Sequence, residues 1–353
     1  MRIFNLSYHD KAITGGHKYN DLFSDYLQVI SYRQVINTPS CTRLYPSWRK
    51  LYAPFAELKW LRCFHAGDLL FYNDTSHKYH VLLALLVALR RKIDTAVIIH
   101  HFDYLNYKGV ARFLNFIIQY IYYLPCKTII VPSPYTYDLA RRLYPCKDIQ
   151  YIPIPFQKAF HPSETYETGR FLYVGTIEER KGLLYLVEAM GLIRRQHPEM
   201  NLMLDVVGKI KDEHYYQNLL ARAEALDVKG MIHFRGRVSD EELEDLYQKA
   251  EVFTFPSLLE GFGMVIVEAM NKGVPPVVFD NSAMPYLIKD GVNGMLAVNK
   301  SVESFAQKLL ELTGNKTLRS HIQTGMKATI DHLASMEDFK ESIKTFYQTR
   351  IGL

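Results

Sequence analysis

Glu260 and Glu268 stand eight residues apart in EGFGMVIVEAM (260–270), and Gly261, Phe262 and Gly263 follow directly on the first. Glycines at the start of a helix leave backbone amides bare for a close ligand. The apolar Val265, Ile266, Val267 and Met270 make residues 264–271 that helix. A carboxylate in the loop beside bare amides can hold the hydroxyls of one sugar. A second carboxylate on the helix's second turn can grip the paired hydroxyls of a ribose. The spacing therefore predicts two sugars with a phosphate bridge between them.

Other residues that could do chemistry also follow apolar runs. Arg180 and Lys181 in TIEERKG (176–182) lie just before a helix. Two cations at a helix N-terminus suit a diphosphate, and they equally suit a solvated charge cluster. Gly15 and Gly16 precede a helix after the first run, as amides for a ligand or as a plain turn. His100 and His101 in HHFD leave the end of a strand, where an imidazole can bond a hydroxyl, oppose a phosphate or serve structure. GFGMVI followed by PPVVFD is similar to a dinucleotide fingerprint, but Ile266 stands where the third glycine belongs, which argues against a nicotinamide cofactor. No Asp-x-Asp pair occurs, so no catalytic metal is expected.

The elements that must position these residues alternate. Strand-like runs at 2–7, 68–73, 95–101, 128–133 and 150–154 are separated by helical patterns at 18–34, 77–92, 108–123 and 134–144. The cycle restarts with strands at 170–175, 201–208, 231–236, 252–256 and 275–279, and helices at 181–196, 213–226, 239–249 and 264–271. Continuous apolar strands between helices predict parallel sheets covered on both faces. The fold class is α/β, two Rossmann-like doubly wound domains facing across a cleft. The Pro-, Ser-, Thr- and Glu-rich stretch 153–170 is the expected linker. Ligands in such sheets bind beyond the carboxyl ends of the strands.

Here the residues carry a family resemblance. VGTIEERKG (174–182), the stretch 234–278 and IKDGVNGML (288–296) resemble the second domain of a retaining glycosyltransferase of family 4, with the GT-B fold. Glu260 and Glu268 match that family's E-x7-E motif. The first half is similar only in outline, through its glycine loop, its strand-end histidine and VPSPYTYDLAR (131–141). The tail 335–347 is similar to the family's closing helix. The resemblance implies an acceptor domain over 1–160, a nucleotide-sugar domain over 161–335, and a helix over 336–353 returning to the first. It implies that Arg180 and Lys181, with Gly15 and Gly16 nearby, hold the donor diphosphate. Glu260, the amides of Gly261, Phe262, Gly263 and Met264, and His100 in preference to His101 would hold the transferred sugar, with Glu260 and His100 catalytic. Glu268 would bind the ribose, and Gly236, Arg237 and Val238 would line the base pocket. Many members carry Arg where Thr176 stands, which would give Arg180 a larger share of the phosphate charge.

The implied activity is metal-independent retaining transfer of a hexosyl group from a nucleotide-diphosphate sugar, UDP before GDP, to a glycan, lipid or lipid-linked acceptor. A sugar-nucleotide epimerase on the same fold and a non-catalytic membrane-associated binding protein are the rivals. Residues 1–160 hold 20 Lys and Arg against 10 Asp and Glu. Within them, 43–62 mixes both tryptophans with five basic residues at amphipathic spacing. That pattern fits a helix on an anionic membrane surface, or an ordinary core helix. The apolar runs 81–89 and 116–124 fall short of a bilayer span. The opening MRIFNLSYHD reads as neither secretory signal nor transit peptide, and four scattered cysteines suit a reducing compartment. A cytoplasmic chain, peripheral on the membrane if 43–62 binds it, is expected. Nucleic-acid binding is not, because no recognised module is present.

Overall fold

The computed structural model describes residues 3–8, 15–31, 35–39, 64–65, 67–73, 85–87, 89, 93–163 and 165–351. The expected amphipathic segment 43–62, and most of the helical pattern 77–92, lie outside them. The chain divides into two compact units, Met1–Phe156 with Ala334–Leu353, and Gln157–Leu333.

The first unit is built on a six-stranded parallel sheet. Its strands are β1 (Ile3–Tyr8), β2 (Val35–Pro39), β3 (Leu69–Asn73), β4 (Asp94–Ile98), β5 (Thr128–Val131) and β6 (Asp148–Tyr151). Their order is β2-β1-β3-β4-β5-β6. The winding reverses between β1 and β3, which makes that gap the switch point of the sheet. The apolar runs of β4 and β5 are wholly buried, as continuous apolar strands require. Helix α1 (Gly15–Ser31) follows β1, α2 (Gly109–Tyr123) follows β4, and α3 (Pro134–Leu143) follows β5. Ser133 caps α3 by accepting the Thr136 amide at 3.1 Å, with Pro134 in the first turn.

The second unit repeats the plan. Strands β7 (Arg170–Val174), β8 (Met203–Val207), β9 (Ile232–Gly236), β10 (Val252–Phe255), β11 (Pro276–Phe279) and β12 (Met295–Ala297) lie in the order β12-β11-β10-β7-β8-β9, all parallel. The helices are α4 (Leu183–Gln196), α5 (Glu213–Ala225), α6 (Asp240–Lys249), α7 (Met264–Asn271), the short α8 (Met284–Leu287), α9 (Val302–Leu312) and α10 (Lys316–His332). Side-chain caps start four of them: Asp212 for α5, Ser239 for α6, Ser301 for α9 and Asn315 for α10. Here the winding reverses between β7 and β10.

The last helix, α11 (Met336–Ile351), packs on α1 in the first unit. Phe339, Ile343 and Phe346 recur at helical spacing and are buried, as are Tyr19, Phe23 and Leu27 opposite them. Tyr19 meets Phe339 edge-on at 5.5 Å, and Phe23 meets Phe346 at 6.3 Å.

Three features depart from the sequence reading. The pattern 18–34 is displaced, since α1 runs Gly15–Ser31, and the strand Val35–Pro39 that follows was not expected. The sixth strand runs 148–151 rather than 150–154, because it pairs Asp148 with Thr128 in register with β5. The stretch expected as a loose linker is fastened from Gln157 onward. The Asn271 carbonyl accepts the His161 amide at 2.7 Å, the Asn271 side chain bonds Gln157 and Ala159, and Lys158 bonds the Asp331 carbonyl.

Candidate active site

The two strands flanking the switch point of the second sheet each send a loop past its carboxyl edge. After β7 the chain passes through Thr176 and Glu178 to Arg180 and Lys181, then turns into α4 at Gly182. That glycine has φ +68°, and a Cβ there would meet the Pro256 carbonyl oxygen at 2.0 Å. A side chain is thus refused twice, by backbone conformation and by contact. The close approach brings the two loops together. The Arg180 carbonyl accepts the Leu258 amide at 2.9 Å, and an Arg180 Nη donates to the Leu259 carbonyl at 2.6 Å.

After β10 the loop 256–263 delivers Glu260 to these cations. Lys181 Nζ donates to Glu260 Oε1 at 2.6 Å, Arg180 Nη1 at 3.3 Å and Ser257 Oγ at 2.7 Å. Burial pushes the Glu260 carboxyl up. The charges of Lys181 and Arg180 and the bonds from Lys181 and Ser257 outweigh it and hold the group below the ordinary carboxylate range. Lys181 also lies over the Phe255 ring, 4.9 Å from its centre. Arg180 is shared with Glu178, which accepts from Arg180, Thr176 and Lys211 at 3.1, 2.9 and 2.6 Å. Thr176, where relatives of the resembled family often carry Arg, therefore serves to orient Glu178.

The loop carrying Glu260 is held by a neighbour that follows β11. Ser282 Oγ accepts the Glu260 amide at 3.0 Å and donates to Asn281 Oδ1 at 2.8 Å. The Asn281 amide nitrogen donates to the Ser257 carbonyl at 3.0 Å. Ser282 sits at φ +45°, an uncommon conformation for a residue with a side chain. Ser257, Asn281 and Ser282 were not singled out by sequence. Their position directly after strands β10 and β11 was the available signal.

Gly263 begins α7 at φ +96°, with no side-chain cap; a Cβ would lie 2.9 Å from Ile266 and 3.0 Å from Met284. The first amides of α7, at Met264 and Val265, thus stay open to an anion. Gly261 and Phe262 lie in the loop just before, half-buried. Glu268 is exposed on the second turn, where its charge acts on the Tyr247 phenol, already raised by burial. Gly236 ends β9 at φ +68°, with Arg237 exposed and Val238 half-buried after it.

The remaining expected residues belong to the first unit. Gly15 and Gly16 open α1 after β1. His100 Nε2 lies 3.0 Å from Asn20 Oδ1, on the second turn of that helix, and its ring meets Tyr19 edge-on at 5.4 Å. His101 turns instead to Asp103, 3.0 Å away. The structure therefore brings Arg180, Lys181 and Glu260 into one cluster at one switch point, and His100 to α1 beside the other.

Two Rossmann-like units in one chain are the make-up of the GT-B fold. Residues 157–328 match the family described as glycosyl transferases group 1. The O-antigen chain mannosyltransferase B of Escherichia coli is 34% identical over 147 residues, which cover 40% of this chain and 36% of that protein. The curated relatives are matched over less than half of their own lengths. The sucrose-phosphate synthase structure from Thermosynechococcus elongatus superposes with TM-score 0.79 at 17% identity, covering 99% of both chains. The Anabaena HepE structure in complex with UDP and glucose gives 0.75 at 15% identity, covering 99% of this chain and 100% of that one. At these identities the likeness is one of fold.

Proposed function

We propose that the protein is a retaining, metal-independent hexosyltransferase, moving a sugar from a nucleoside diphosphate, UDP before GDP, to a hydroxyl of a glycan, lipid or lipid-linked acceptor. The observation that carries this reading is the convergence of Lys181 and Arg180 on Glu260 beside the open N-terminus of α7. The names of relatives support it: one is a mannosyltransferase, and one was crystallised with UDP and glucose.

Breaking the bond between the anomeric carbon and the diphosphate sends the electron pair to the leaving oxygen. Arg180, Lys181 and the α7 amides offset that charge, which is the role a metal plays elsewhere. The ring gains positive character, and Glu260, held ionised, faces it while gripping hydroxyls of the sugar with the amides of 261–264. Glu268 takes the ribose, and Gly236, Arg237 and Val238 take the base. Gly15 and Gly16 lie by the phosphates, and His100 meets the sugar and the incoming acceptor. The acceptor's proton passes to the departing phosphate in a front-face reaction, or a covalent glycosyl-enzyme intervenes. The protein works in the cytoplasm, at the membrane when its acceptor is lipid-linked; residues 43–62 are one candidate contact. Among the described residues, no helix is long and apolar enough to cross a bilayer.

A thermal-shift screen with UDP, GDP, ADP and their sugars tests the donor, since a ligand of the folded state raises Tm. Mass spectrometry with an acceptor panel then tests transfer. Saturable UDP binding with transferred sugar is the expected result. An isomerised donor formed without any acceptor overturns the transferase reading in favour of an epimerase.

A further inference from the structure

Helix α2 is apolar on both its inner and its outer face. Its outer face carries Val110, Phe113, Leu114, Ile117, Ile118 and Ile121, all exposed, Phe113 by 62% and Ile121 by 51%. These recur at intervals of three and four, a continuous stripe along the helix. Its inner face packs Phe116 and Tyr123 on the core and also holds the buried Gln119. Gln119 Oε1 accepts the Tyr104 amide at 3.3 Å, and its Nε2 donates to Tyr123 at 3.2 Å. Beyond the helix end, Leu124, Leu85 and Leu89 extend the apolar surface. An exposed apolar stripe of this extent marks a contact surface.

The charge around it selects the partner. No Asp or Glu occurs between Asp103 and Asp138, while Lys108, Arg112 and Lys127 do. Lys108 is exposed at the N-cap, and Arg112 is exposed one turn on. Lys127 is paired with Asp94, so the first two supply the unspent charge. A helix of 15 residues is about 22 Å long, too short to cross a hydrocarbon core of roughly 30 Å. An apolar stripe with Lys108 and Arg112 at one end, and with Asp94 and Asp148 at the other end beside Lys127 and Lys147, fits a helix lying along an anionic bilayer. A second copy of the chain fits less well, because a two-fold contact would bring Lys108 and Arg112 of both copies onto one apolar surface.

We propose that α2 is a membrane-docking helix, seated parallel to an anionic lipid surface with Phe113, Leu114, Ile117 and Ile121 in the acyl boundary. This is a surface of the first unit, separate from the 43–62 segment singled out by sequence. It does not depend on the transfer chemistry: a protein that binds vesicles and transfers nothing leaves it standing.

Flotation of the full chain with phosphatidylglycerol/phosphatidylcholine vesicles, against phosphatidylcholine alone, tests it. The expected result is flotation with the anionic vesicles that weakens with salt, and a fall of at least about tenfold in partitioning for Phe113→Glu with Ile121→Glu. Lys108→Glu with Arg112→Glu should lose most of the preference for anionic lipid. Both pairs are solvent-facing, and an unchanged Tm and unchanged UDP response confirm that they fold. Flotation equal to wild type in both double variants overturns the proposal and returns the contact to 43–62. A wild-type dimer on size exclusion that Phe113→Glu with Ile121→Glu makes monomeric overturns it in favour of a second copy.

Discussion

Lys181 and Glu260, 79 residues apart in the chain, meet at 2.6 Å with both side chains about seven-eighths shielded from water. Removing one partner of such a pair leaves the other charge poorly solvated. Lys181→Met is expected to destabilise the protein by about 1–3 kcal/mol, with Arg180 and Ser257 limiting the loss. The double variant with Glu260→Gln should recover part of it. Urea unfolding of all four proteins measures the coupling; strict additivity would mean that the contact carries no energy of its own.

Glu260→Gln keeps the shape of the site and removes its negative charge. Sugar transfer is expected to fall by about 10²–10³ while UDP binding changes little, because the loss is felt where charge develops. Initial rates and UDP titrations on one preparation separate the two. A variant that transfers at the wild-type rate would remove Glu260 from the chemistry.

The depressed Glu260 carboxyl has a consequence for pH. A carboxyl whose folded value lies below its unfolded value stabilises the fold above the unfolded value, near pH 4.3, and the contribution is lost as pH falls through the folded value. Glu178 is shifted the same way: burial raises it, and Lys211, Arg180 and Thr176 more than compensate. The stability difference between wild type and Glu260→Gln should be constant from about pH 5 to 7 and shrink below about pH 4. A difference that grows on acidification would contradict this.

Ser282 combines a backbone conformation that favours glycine with two hydrogen bonds that need its hydroxyl. Ser282→Gly and Ser282→Ala both release the Glu260 amide, so both should lower kcat, by roughly tenfold. Only Ser282→Gly relieves the backbone, so it should be the more stable of the two by up to about 1 kcal/mol. Equal Tm values for the pair, or an unchanged kcat, would show that Ser282 is a spectator.

Gly182→Ala meets the Pro256 carbonyl and needs φ +68°. A loss of about 2–4 kcal/mol is expected, a drop in Tm of several degrees, and weaker UDP binding with it. Calorimetry on the variant checks the first and titration the second.

Much of this site could be read from the chain because its chemistry is local. Glu260, Arg180 and Lys181 sit directly after apolar runs that become strands, and residues after parallel strands reach the ligand edge. The bounds of α7 followed from two glycines and a short apolar run. What sequence hid was tertiary. Ser282 reaches Glu260 across 22 positions, through a turn that no composition announces. Strand β2 escaped because Val35–Pro39 carries Asn, Thr and Pro in place of a continuous apolar run. At three residues, β12 is too short to leave a period. The outward face of α2 was hidden because apolar residues line both sides of the helix: Phe116 and Tyr123 pack inward while Phe113, Ile117 and Ile121 face out.

Asn271 closes α7 at the end opposite Gly263. Its side chain and carbonyl hold Gln157, Ala159 and His161 as the chain enters the second unit. The eight residues of α7 make a rod about 12 Å long. The anchorage of the incoming chain and the open amides therefore sit at the two ends of one helix. A ligand seated on those amides would stiffen the anchorage at the far end, so protease cutting near 157–161 becomes a remote gauge of occupancy.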